Sequence, residues 1–190
     1  MGLRIEDGRG KGYQQGVNSR NRGMVAAVRI LDALNESQEN SATFLLSSGL
    51  IAVSTINTDT GILYIKNTLA SPLIIDTLIL SSNNLVAKWK LFTSPTTGTL
   101  ISAGTAFVPI NADLASARPA TGTFLYGVNG ATVTNGLSAF LGMSVSSPLR
   151  FDGGLLGLVL RTGGAIALVV DVPASALVSA LIVGYYKDQE

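Results

Sequence analysis

"GLIAVSTINTDTGILYIKNTLASPLIIDTLIL", residues 49–80, decides the fold class. Three runs rich in Val, Ile, Leu and Tyr are separated by the Asn-Thr-Asp-Thr-Gly turn at 57–61 and by the Ser71-Pro72 break. Short β-branched runs bounded by Gly, Asn, Asp and Pro are the mark of strands, because branched side chains suit a pleated surface and the punctuating residues suit turns. Downstream, "AKWKLF" alternates cleanly: Ala87, Trp89 and Leu91 fall on one face while Lys88 and Lys90 point the other way. That pattern predicts a half-solvated strand.

The same grammar continues to the C-terminus. "GTLISAG", "GTFLYG", "LSAFLGMSV", "PLRFDGG", "LLGLVLR", "GAIALVVDV" and "LVSALIVGYY" are short pieces separated by turn residues. About ten strands at such spacing predict an all-β, jelly-roll-like antiparallel β-sandwich. In "GYYKDQE", Tyr185 and Tyr186 take opposite faces of the last strand. The interval 93–123, with Pro95, Pro109 and Pro119, reads as a long loop carrying at most one short strand. No fixed-period repeat is present, which argues against a solenoid.

The N-terminus differs. Residues 6–25, "EDGRGKGYQQGVNSRNRGMV", hold five glycines and lack an apolar period. Such a stretch has no core of its own, so an extended N-terminal arm is expected over 1–30, ahead of a sandwich body over 31–190. "AAVRILDALNES" also offers Val28, Leu31 and Leu34 at helical spacing. Residues 1–30 carry six basic and two acidic groups, a balance of +4, while 31–190 carry seven basic and ten acidic, a balance of −3. Arm and body have opposite signs, as expected of an arm that seeks an acidic surface.

Composition narrows the chemistry. Charged residues are 13% of the chain, against about 25% in ordinary soluble domains. The surface is therefore mostly neutral, or covered. Cys and His are both absent, which removes Ser-His-Asp and Cys-His catalysis, imidazole bases and nearly every transition-metal site. No apolar h-region follows Met1, so no secretory leader is expected. Arg161 and Asp171 interrupt the C-terminal apolar run before about 18 residues accumulate, so neither is a membrane span.

The arm's glycines do not form a phosphate loop. Gly10-Lys11 is followed by Gly12 rather than Ser or Thr, and Gly8 and Gly10 are followed by Tyr13 where a dinucleotide fingerprint needs glycine. A nucleic-acid arm is disfavoured by having only Tyr13 interleaved with its cations. Asp59, Asp76, Asp113, Asp152 and Asp171 are scattered singly, and Asp59 and Asp152 read as turn residues satisfying local backbone donors. Trp89, Tyr64 and Tyr126 fit either a core or a sugar-stacking platform, and a core is favoured. No cofactor and no enzymatic activity is expected.

The arm also carries a resemblance. "DGRGKGYQQGVNSRNRGMVAAV", residues 7–28, resembles the N-terminal arm of a group of tailed-bacteriophage virion structural proteins of the capsid cement or decoration type. Asp7, Gly8, Gly10, Val17, Asn18, Ser19, Asn21, Arg22 and Val25 stand at the matching places. "TGILYIKNTLASPLIIDTLIL", residues 60–80, is similar to that group's strand pair. Gly23 and Met24 depart from it where leucine is expected, and beyond residue 80 the match is one of general character. The resemblance implies a virion protein, assembled in the host cytoplasm, that trimerises over junctions of major capsid or other shell subunits. Arg4, Arg9, Lys11, Asn18, Arg20, Asn21 and Arg22 would then be the partner-binding residues. The rival is a tail or fibre-associated host-recognition module that uses Trp89 and Tyr126. Neither reading calls for a specific nucleic acid or a membrane.

Overall fold

The computed structural model describes residues 42–93, 102–133, 136–143, 148–152 and 158–187. Residues 1–30, with all seven arm candidates, lie outside the described residues, as does the helix-like stretch at 26–37. Among the described residues there is no helix, and the chain runs through thirteen strands: β1 (Thr43–Ser47), β2 (Ile51–Val53), β3 (Thr60–Asn67), β4 (Leu73–Ser82), β5 (Lys88–Thr93), β6 (Thr105–Ala106), β7 (Ile110–Asn111), β8 (Gly122–Tyr126), β9 (Leu137–Met143), β10 (Leu149–Asp152), β11 (Val159–Leu160), β12 (Ala165–Asp171) and β13 (Ala176–Tyr186). The interval expected to hold at most one short strand thus contains two, β6 and β7. Each is only two residues long, because Pro109 and the small residues around it sustain no longer ladder.

These strands build two antiparallel sheets. One has the order β10-β4-β13-β1-β7, with β11 also on β4 and β2 also on β13; the other has the order β6-β8-β3-β12-β5-β9. Consecutive long strands alternate between the sheets: β1, β4, β10 and β13 lie in the first, and β3, β5, β9 and β12 in the second. Only β5 to β9 stays in one sheet as a neighbour, with β6 to β8 inserted between them. The fold is therefore an all-β sandwich, as the strand pattern predicted.

One core lies between the layers. From the first sheet come Phe44, Leu46, Leu78, Leu80, Val178 and Ile182, and from the second Ile65, Trp89, Leu91, Ile166, Leu168 and Val170. Each such side chain contributes about 1.5–3 kcal/mol by leaving water. The alternation read in "AKWKLF" holds: Ala87, Trp89 and Leu91 are buried, and Lys88 is exposed. Of the paired tyrosines, Tyr186 enters the core, edge-on to Phe44 with ring centroids 5.7 Å apart.

Two bulges keep apolar residues inward where the sequence breaks period two. On β4, Leu73 and Ile75 face the core and so do Leu78 and Leu80, a spacing of three between 75 and 78. The ladder with β13 shifts there, since Val183 faces Thr77 while Gly184 faces Ile75, leaving Asp76 as the extra residue. On β3 the shift falls where Leu168 faces Leu63 and Val169 faces Gly61, so that Ile62 and Leu63 both reach the core. A single inserted residue exchanges the two faces of the strand beyond it, which is how both pairs remain inside.

The second sheet is also covered on part of its outer face. Tyr64, Ala165 and Ala167 form a small apolar cluster with Ala131 from the β8–β9 connection, joined by Phe92, Leu125 and Val133. The connection is fastened to β3 by Gly61 N donating to Ala131 O and by Gly127 N donating to Ile62 O at 2.9 Å. Gly127 is required there, because a Cβ at that position would run into the Gly61 carbonyl. Asn129 completes the attachment: its Oδ1 accepts from Ser54 N at 2.7 Å and Thr55 N at 3.1 Å, and its Nδ2 donates to Ser54 Oγ at 2.8 Å.

Candidate interaction surfaces

The two described residues of the host-recognition reading are in different situations. Trp89 is 0% exposed. It sits near the start of β5 between the sheets, opposite Val170 in the ladder, and offers no face to a ligand. The core reading is correct for this residue. Tyr126 is half-buried at the end of β8, with its ring tilted against Phe107 at a centroid distance of 6.2 Å. Tyr64 faces the outer apolar cluster, and burial pushes its hydroxyl above the usual tyrosine range. Trp89 and Tyr126 thus belong to the core between the sheets and Tyr64 to the outer cluster, and the three form no common platform.

The carboxylates are likewise apart. Asp59, expected to satisfy turn donors, instead accepts from Lys90 Nζ at 2.7 and 3.0 Å, because β5 carries Lys90 across β12 toward the turn before β3. A carboxylate within reach of a cation makes charge-assisted hydrogen bonds to it. Asp152 ends β10 and accepts from Arg150 Nε at 2.9 Å, and the glycine turn expected after it lies outside the described residues. Asp113 does act locally, receiving Ala115 N at 3.1 Å, and Asp76 accepts from the neighbouring Thr77 hydroxyl at 3.0 Å. Among the described residues no three acidic side chains gather where they could hold a metal ion.

A shallow groove of about 420 Å³ is lined by Ala70, Pro72, Val159, Arg161 and Thr162. Its hydroxyl is already committed, Thr162 Oγ1 donating to Leu69 O at 2.7 Å. Among its described lining residues Arg161 is the one charged group.

The exposed apolar side chains mark the surfaces that stand out. Val108 (80%), Ile110 (58%) and Leu114 (86%) project from the excursion between β5 and β8, and Leu137 (80%) and Met143 (39%) from β9. These positions lie on opposite rims of the sandwich, since a Cβ at Gly142 of β9 would lie 3.3 Å from Leu149 Cδ1 of β10, and β10 and β7 are opposite ends of the first sheet. Strand patterning could not single them out, because alternation tells which residues share a face and not which rim is left uncovered. One signal was available for Leu137 and Met143: no charged residue occurs from 119 to 149. No helix among the described residues is long and apolar enough to cross a membrane. Comparisons with family models, with curated proteins and with solved structures find no match to this chain.

Proposed function

We propose that this chain is a non-enzymatic structural protein of a virion, of the capsid cement or decoration type. Its body would assemble as trimers over junctions between shell subunits and its basic arm would clamp them. The observation that carries this reading is the exposed apolar side chains on two rims, Val108 and Leu114 on one and Leu137 on the other, of a body of very low charge. A subunit whose rims meet neighbours has that surface. Two further features support it. The strand orders β1-β13-β4-β10 and β3-β12-β5-β9 support a jelly-roll winding, an architecture used by many capsid domains; fold alone does not imply function, and the arm motif over residues 7–25 supplies the second support.

In this reading Arg4, Arg9, Lys11, Arg20 and Arg22 meet acidic or carbonyl-rich grooves of the shell, and Asn18 and Asn21 add hydrogen bonds. The glycines let the backbone approach closely. The host-recognition alternative loses its main aromatic, since Trp89 is in the core. Deleting residues 1–22 is expected to leave the body folded and its assembly unchanged while abolishing binding to shells, measured by co-sedimentation with shells of the source virus. Undiminished binding by the truncated protein would sink the assignment.

A further inference from the structure

Open sheet edges present unpaired amide and carbonyl groups, and proteins shield them with short strands, charges or proline. Of the four strands that end the sheets among the described residues, three are shielded. The strands β6 and β7 are two residues long. β10 carries the Arg150–Asp152 ion pair along its four residues. The remaining one, β9, has seven residues, Leu137–Met143, with neither a charge nor a proline among them. Its ladder with β5 shifts between Gly142 and Phe140, so the bulge at Leu141 bends the strand's end and leaves 137–140 as the regular stretch. Leu137, Ser138 and Ala139 are all exposed.

We infer that the free edge of β9 is a pairing surface for β9 of a second copy of this chain, joined antiparallel about a two-fold axis. Charge selects this occupant. The edge strand lies within 119–149, which contains no charged residue, and the nearest charges are Lys88 and Lys90 one strand behind it on β5, so a basic arm finds no counter-charge there. An identical neutral strand pairs with it at no electrostatic cost. The contact is self-complementary, as a two-fold contact must be, and it would double the six-stranded sheet into one continuous layer. A two-fold axis perpendicular to the sheet keeps each side chain on the same face as its counterpart. A charge placed at Ser138 therefore meets its own copy within one or two ladder positions, where like charges destabilise pairing.

The inference does not rest on the shell-docking reading, and one experiment on the full chain separates them. The masses of the wild type, Ser138→Lys, Ser138→Glu and an equimolar mixture of the two variants are measured by light scattering, with circular dichroism to check that each is folded. The wild type is expected to contain an even number of 19.7 kDa chains, two, or six where a three-fold contact coexists. Each variant should fall to half that mass, and the mixture should recover it. An odd number of chains in the wild type, an unchanged mass in the variants, or no recovery on mixing overturns the pairing. A wild type of three chains that still binds shells would reject the β9 contact and leave the cement reading standing.

Discussion

The side-chain amide of Asn67 donates to the carbonyl oxygen of Leu160 at 2.8 Å, linking the end of β3 to β11 in the opposite sheet. The same Nδ2 donates to Ser71 O at 2.9 Å, and Oδ1 accepts from Leu69 N at 2.9 Å. Backbone bonds to Gly163 and Gly164 complete the site, and Asn67 is 0% exposed. One buried amide thus fixes the β3–β4 turn and the β11–β12 turn against each other. Asn67→Ala would leave two carbonyls and one amide without partners and is expected to cost about 3 kcal/mol. A shift of the urea midpoint corresponding to less than about 1 kcal/mol would show that water replaces the side chain.

Thr60 presents the opposite case. It is 0% exposed, pairs with Val170 in the ladder, and its Oγ1 has no hydrogen-bond partner. A buried hydroxyl left unpaired costs about 1–3 kcal/mol relative to an apolar group of the same shape. Thr60→Val is therefore expected to raise stability by about 1 kcal/mol, read as an upward shift in the thermal or urea midpoint. A loss of stability would mean that the hydroxyl has a partner on folding in solution.

Tyr186 makes stability depend on alkaline pH. Burial pushes its hydroxyl from 10.0 up to about 12, with Arg118 pulling weakly the other way. The folded state therefore holds this proton when the unfolded chain has begun to release it. The stabilisation is complete below about pH 10, falls between pH 10 and 12, and is gone above that window. Tyr186→Phe loses the hydrogen bond from the hydroxyl to Thr121 O at 2.6 Å. It should be about 1 kcal/mol less stable at pH 8, yet lose less than the wild type between pH 8 and pH 11. Parallel urea titrations at the two pH values check both signs.

Gly127 tests the outer layer. With its Cβ driven into the Gly61 carbonyl, Gly127→Ala must push the β8–β9 connection off β3. The expected result is a loss of at least about 2 kcal/mol, with faster amide exchange at Gly61 and at residue 127, whose hydrogen bonds to Ala131 O and Ile62 O hold the two segments together. Unchanged exchange at those amides would show that the layers slide to make room.

Much of this architecture was legible in the chain itself. The strand class, the facing of Ala87, Trp89 and Leu91, and the opposite facing of Tyr185 and Tyr186 at the end of β13 follow from period-two patterning. That patterning is local and needs no knowledge of neighbours. The partners of Asp59 and Asp152 did not follow, because Lys90 reaches Asp59 only after β12 has been laid between β3 and β5. Nor did the inward run of Ile62 and Leu63 or the step from Ile75 to Leu78, since a bulge is set by what the facing strand offers. The sequence by itself determined that the chain is β throughout its body, carries no His or Cys chemistry, and begins with a basic glycine-rich stretch. Only the tertiary structure decided that Trp89 is core, that Asn67 ties two turns together, and that β9 is the long edge left bare among the described residues. Alternation specifies the faces of a strand, whereas its neighbours, and so its edges, are specified by contacts between residues far apart in the chain.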